Sequence, residues 1–408
     1  MFFSRFLTNN IIPILSVYIF IFYFFIRILY IYYGIESVIN IWYYRIFFYL
    51  PIVLWFVLIL KDYFMLFSNL KKNKFLNTFL FLYLIIFMYI IFHHFFGLEY
   101  ITMLVTKFQV KMLFYAILNI LLGAYLYKSL TELYFQKVIF IVWLIYTLIL
   151  IFNINYFTTL EYKASALRLL LSDPYVLISI IAIFINIKNK YLKIILFTLV
   201  LFLAYVLKSR ATFYSLLVVY IFFIIKELGF KNFFVLCLFA LVSLVVLNNL
   251  NLITLDTRMF GVLQGKSDGS LNERLLQFEY GLEAIKNNLI FGQYAGQIII
   301  HESGYRSGEM GAYMHNFLSY WRQFGIVFFI LFVYLYLNAT LRLLKEWIYN
   351  SNKINQTLFY LVLFFGIESL LFRSYSNTYV WFVLGIVYMY FNTSKKEFSE
   401  NSNINSLK

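Results

Sequence analysis

The chain lacks most of what a soluble enzyme or a secreted domain relies on. It has one cysteine, Cys237, in 408 residues. A single cysteine allows no disulfide framework and no thiolate zinc site within the chain. Aspartate is nearly as scarce: Asp62, Asp173, Asp256 and Asp268 are the full set, and no two form an Asp-x-Asp pair. There is no Walker loop and no His-Glu-x-x-His. Metal-centred phosphoryl transfer and nucleotide hydrolysis are therefore not expected, and neither a metal nor a cofactor is called for. Charged residues make up only 12% of the chain.

Apolar residues fill the space instead, at 63% with 23% aromatic, where a soluble domain is nearer about half apolar. Runs of about 15 to 23 such residues recur, the length that a helix needs to cross a bilayer. In hydrocarbon each backbone polar group must be satisfied within its own segment, which favours helices. A membrane β-barrel needs alternating polar and apolar residues, and these runs are apolar on all sides. The expected fold is all-α: a polytopic membrane helical bundle of about twelve transmembrane helices. The spans are read at 11–33, 46–60, 75–92, 112–127, 138–152, 175–187, 194–207, 212–225, 232–250, 317–337, 357–372 and 379–391. The first run has no small-residue cleavage site, so it is expected to insert and stay.

The net charge of +15 invites a nucleic-acid partner, but its distribution argues for a membrane and against nucleic acid. Lysines gather in alternate connectors: Lys71, Lys72 and Lys74; Lys128 and Lys137; Lys188, Lys190 and Lys193; Lys226 and Lys231; Lys345 and Lys353. Such connectors belong on the cytoplasmic side. Both termini are then expected inside the cell. Residues 1–250 carry helices one to nine, and residues 251–315 form one large extracytoplasmic loop. Residues 316–393 carry helices ten to twelve, and 394–408 form a polar cytoplasmic tail, expected to be disordered. The loop is no phosphate groove, with five Lys/Arg against seven Asp/Glu.

One helix is legible inside that loop. Ser270 to Glu273 fits a capping box with Ser270 as N-cap. Leu271, Leu275, Phe278, Leu282 and Ile285 follow at helical spacing, and Asn287-Asn288 supplies a stop. Arg274 is then expected in the first turn, where unpaired amides and a guanidinium suit an anion. A second short helix, lying at the interface, is expected over Ala164 to Leu171.

Two further features stand at the outer edge. Lys208-Ser209-Arg210 falls between two tightly spaced spans. It is either a snorkelling pair at the interface or a fixed cation at the mouth of a membrane cavity. His315 stands where the loop re-enters the membrane. It is either an ordinary interfacial histidine or a general base, since imidazole titrates near neutrality. Arg168, Arg306, Arg322 and Arg373 are further outward-side candidates. His93-His94 is an interfacial pair without a carboxylate at ligand spacing.

Three segments together resemble the O-antigen polymerase and O-antigen ligase superfamily. Leu207-Lys208-Ser209-Arg210-Ala211 resembles its Ser-Arg turn. Glu273-Arg274-Leu275-Leu276-Gln277-Phe278, running to Asn288-Leu289-Ile290-Phe291-Gly292, resembles its arginine-led loop helix and glycine turn, although the usual proline before that glycine is absent. His315-Asn316-Phe317-Leu318 and then Phe324-Gly325-Ile326 resemble its His-Asn-x-x-Leu segment and the Gly-Ile that follows.

The resemblance implies a metal-independent, inverting glycosyltransferase of the bacterial cytoplasmic (inner) membrane. Its donor would be a glycan on undecaprenyl diphosphate, at the outer face. Arg210 and Arg274 match the diphosphate-binding arginines, and His315 matches the base that takes the acceptor hydroxyl's proton. Arg168, Arg306 and Asn316 are candidate glycan or acceptor contacts. Membrane lipid, a chain-length regulator and a flippase are the implied partners. Three activities remain open: a polymerase of repeat units into O-antigen, capsular or exopolysaccharide chains; a ligase moving the finished glycan to lipid A core or protein; and a flippase for lipid-linked sugars.

Overall fold

The computed structural model of the chain describes residues 11–33, 50–55, 57–58, 84, 86–88, 91, 95, 103–154, 165–234, 269–292, 316–372 and 377–405. Ten long helices run through them, and no strand occurs among the described residues. They are α1 (Ile12–Tyr33), α2 (Met103–Leu130), α3 (Leu133–Phe152), α4 (Ser165–Asn186), α5 (Lys190–Val206), α6 (Arg210–Leu228), α7 (Gly269–Asn287), α8 (Leu318–Tyr349), α9 (Lys353–Leu371) and α10 (Tyr379–Asn405). Among the described residues five segments are long and apolar enough to cross a membrane: Val110–Leu130, Leu133–Phe152, Arg210–Leu228, Leu318–Tyr349 and Lys353–Leu371. The chain is an all-α, multi-pass membrane protein. The spans expected at 46–60, 75–92 and 232–250 lie partly or mostly outside the described residues.

The chain divides into two compact units. Unit 1 is Met1–Gln136 with Gln277–Lys408, and unit 2 is Lys137–Leu276.

In unit 1, α10 packs along α2 and against α9, while α8 packs on α9 and α1 on α2. The α2–α10 seam is a mutual glycine contact. A Cβ at Gly123 would collide with the Phe382 carbonyl, and one at Gly385 with the Ile120 carbonyl. Small residues let two membrane helices bring their backbones together, and dispersion then does the holding. Trp55 donates its indole N–H to Ser16 Oγ at 2.7 Å, beside α1's buried Ile12 and Ile19.

In unit 2, α4 is the core. Every residue from Leu171 to Ile185 is buried, so the helix must be satisfied entirely by protein. Phe184 of α4, Phe197 of α5 and Phe223 of α6 meet edge-to-face at about 5 Å, the geometry the ring quadrupoles favour. Trp143 of α3 donates to Ser179 Oγ at 2.9 Å, and Tyr146 Oη donates to the Leu171 carbonyl at 3.1 Å.

Two expectations are corrected here. The short interfacial helix over Ala164 to Leu171 is no separate element. α4 starts at Ser165 and runs through Pro174 to Asn186. Proline inside a helix removes one backbone bond and kinks the chain, and packing on all sides keeps the helix going. The tail beyond 393 is not irregular either, because α10 continues to Asn405.

Candidate active site

The first of the three sequence segments is a sharp corner in unit 2. α5 closes with Leu207 and Lys208 amides donating to the Leu203 and Tyr205 carbonyls at 2.9 and 2.8 Å. Lys208 then takes φ 51°, a left-handed conformation that side-chain-bearing residues seldom adopt. Ser209 occupies the N-cap of α6 but makes no side-chain capping bond, and Arg210 is the first helical residue. Arg210 is half-buried, with Tyr214 one turn on within its electrostatic reach. The opposite end of the α5–α6 pair carries Lys190, Lys193 and Lys226, with Lys193 paired to Glu227 at 3.6 Å. The seventeen residues of α5 put about 25 Å between those ends. The Ser-Arg corner therefore lies at the end remote from the lysines.

Beneath that corner is a polar cluster that the sequence did not reveal. Thr212 Oγ1 donates to Asp173 Oδ1 at 2.6 Å. Ser209 Oγ lies 2.8 Å from Thr212 Oγ1, and Ser172 Oγ lies 2.9 Å from the same oxygen and 3.3 Å from Asp173 Oδ1. All four residues are buried, Asp173 being 4% exposed.

The second segment is α7 and the turn after it. α7 starts at Gly269, so Ser270 lies inside the helix and is not its N-cap. Arg274 consequently sits in the second turn, not the first, and is half-buried. The anion-favouring amides lie a turn upstream of it. The predicted apolar stripe is only partly the buried face. Leu275 and Phe278 are exposed, whereas Gln277, Gly281 and Ile285 are buried one turn apart. The helix does stop at Asn287 as expected, and Gly292 closes the turn by donating to the Asn288 carbonyl at 3.0 Å with φ 71°.

The third segment meets the turn after α7, and both lie in unit 1, whereas Arg274 belongs to unit 2. α8 is broken at Gly325, with φ 79° and ψ 177°. At this break the Ile326 amide donates to the Ile290 carbonyl at 3.2 Å, and the Trp321 indole donates to the Leu289 carbonyl at 2.9 Å. The two glycines face each other. A Cβ at Gly325 would strike the Ile290 carbonyl, and one at Gly292 would come 2.6 Å from the Gly325 nitrogen. The loop turn and the Gly-Ile motif, 33 residues apart in numbering (325 − 292), are thus one backbone joint.

The remaining candidates are placed as follows. Asn316 is half-buried, and its Oδ1 accepts from the Leu318 amide at 3.1 Å. Leu318 is the first residue of α8, and Phe317 is its N-cap. Arg322 is 2% exposed on α8, three residues before the break. Arg168 belongs to the first turn of α4, and its side chain lies outside the described residues. His315, Arg306, Arg373, His93 and His94 lie outside the described residues altogether. Among the described residues no group of three or more His, Cys, Asp or Glu could hold a metal ion.

Residues 194–333 match the family described as O-antigen ligase. The resemblance to the O-antigen polymerase and ligase superfamily is borne out. The matched stretch contains all three segments: the Ser-Arg turn, the arginine-led helix with its glycine turn, and the His-Asn segment with its Gly-Ile. This O-antigen ligase family domain supports a glycan-transfer function of the polymerase or ligase type. Asp173 and Ser172 lie outside it. No curated protein and no solved structure matches the chain.

Proposed function

We propose that the protein is a polymerase of the bacterial cytoplasmic membrane that joins undecaprenyl-diphosphate-linked repeat units into a polysaccharide. The observation that supports glycan transfer, by polymerase and ligase alike, is the family match across all three segments, in order. The acceptor hydroxyl attacks the anomeric carbon of the donor sugar, and the bond from that carbon to the diphosphate oxygen breaks. The hydroxyl proton goes to His315, and undecaprenyl diphosphate leaves. Direct displacement inverts the anomeric carbon. Negative charge grows on the departing diphosphate, and cations fixed in a site of low dielectric constant stabilise such charge most. Arg210 and Arg274 take that role, and the chemistry needs no metal.

A second reading is the ligase, the activity for which the matched family is described. The same residues would serve, with a different acceptor. A lipid-linked sugar flippase belongs to another class and would carry its functional charges along mid-membrane faces. In unit 1 the buried Arg322 and Glu368 each stand within four residues of the end of their helix opposite its lysine, Lys345 on α8 and Lys353 on α9. Charge held at helix ends in this way supports bond chemistry more than passage through the membrane.

A deletion strain separates the first two. Loss of a polymerase leaves single repeats attached to the core, whereas loss of a ligase leaves full-length chains on the lipid carrier. His315→Ala and Arg274→Ala expressed in that strain are expected to give the deletion phenotype. Wild-type chain lengths from either would remove that residue from the mechanism.

A further inference from the structure

The buried cluster at the Ser-Arg corner has a direction. A carboxylate in apolar surroundings is costly unless it receives hydrogen bonds, and the 2.6 Å contact from Thr212 is the short, charge-assisted kind. The Thr212 hydroxyl has one proton, and Asp173 takes it. Its oxygen can then only accept. Ser209, 2.8 Å away, is therefore the donor to Thr212. This explains why Ser209 stands at the N-cap of α6 without capping it: its hydroxyl is turned toward Thr212. Proton donation thus runs from Ser209 to Thr212 to Asp173, from the corner down into α4. Lys208, the residue before Ser209, holds a left-handed conformation that persists only where surroundings fix it. Arg210 follows Ser209 directly.

We propose that Asp173 is the positioning residue for Arg210. Its carboxylate orients the Thr212 and Ser209 hydroxyls, these lock the Lys208–Ser209 corner, and the corner aims the guanidinium at the donor diphosphate. The inference rests on the diphosphate-binding reading of Arg210. It assigns a function to α4, which lies outside the matched domain.

The test uses the full-length protein in proteoliposomes with a lipid-linked repeat unit as donor, reading KM and kcat separately. Thr212→Val keeps the shape and removes the hydroxyl, and Thr212→Ser restores it. Misaiming a binding group is expected to raise the donor KM about ten- to a hundredfold in Thr212→Val, with Thr212→Ser close to wild type. Ser209→Ala reads the same link should Thr212→Val fold poorly. In an Arg210→Ala background, Thr212→Val is expected to add nothing further. If it adds its full effect there, or leaves both the donor KM and kcat unchanged when alone, Asp173 does not act through Arg210 and the proposal is overturned. If Arg210→Ala itself keeps wild-type kinetics, the diphosphate reading fails and takes this proposal with it.

Discussion

The Ser-Arg corner in unit 2 and the glycine joint in unit 1 are both sharp turns in left-handed backbone, yet they are held in opposite ways. Lys208 bears a side chain at φ 51°, whereas Gly292 and Gly325 stand at 71° and 79°. Side chains hold the first corner: a carboxylate and three hydroxyls beneath it. The second is held by backbone and by the absence of side chains. Ile326 donates to the Ile290 carbonyl, and no Cβ fits on either glycine. The difference has a physical meaning. A hydroxyl network can be tuned one group at a time and can aim the charged residue next to it. A backbone joint cannot be tuned, so it suits a place where the chain need only be stiff.

That contrast is open to direct attack. The largest effect is expected at the charge the corner carries. Arg210→Ala should reduce glycan transfer by about a hundred- to a thousandfold, the scale for losing one fixed stabiliser of transition-state charge. Protein yield and melting temperature should be unchanged, and polymer length on gels reads the result.

The joint should respond in stability instead. Gly325→Ala adds both left-handed strain and a collision with the Ile290 carbonyl. Strain of this kind costs about 1–3 kcal/mol, and the collision adds to it. Gly229 is the control, because its φ is 81° and a Cβ there meets nothing within 4 Å. Thermal unfolding in detergent should show Gly325→Ala clearly less stable than Gly229→Ala. Equal losses would mean that the close approach contributes nothing. The smallest effect belongs to Trp321→Phe, which removes the indole bond to the Leu289 carbonyl. About 1 kcal/mol is expected, the usual net worth of one such bond.

Much of this was legible in the sequence. Apolar runs gave the helices, since a membrane span must satisfy its own backbone and shows this as a long unbroken stretch. The Ser-Arg corner was visible because three polar residues between two tight spans have nowhere to go but a turn. Asp173 was not visible. Asp-Pro reads as a boundary, because the residue before proline is pushed away from helical geometry. Only tertiary burial carries α4 through Pro174 and brings Asp173 under Thr212. The α7 stripe misled for a related reason. Leu275 and Phe278 have the right spacing, but the buried face is set by Gln277, Gly281 and Ile285, and spacing cannot say which of two overlapping faces a neighbour covers. The Gly292–Gly325 joint was present as two separate motifs. Their meeting is a long-range contact that no local pattern encodes.

Reconstitution of the purified protein in liposomes with a lipid-linked repeat unit tests the central claim most directly. The expected result is longer lipid-linked glycan with release of undecaprenyl diphosphate, retained when divalent cations are chelated. Repeat units that cross the bilayer at unchanged length, with no diphosphate released, would contradict it.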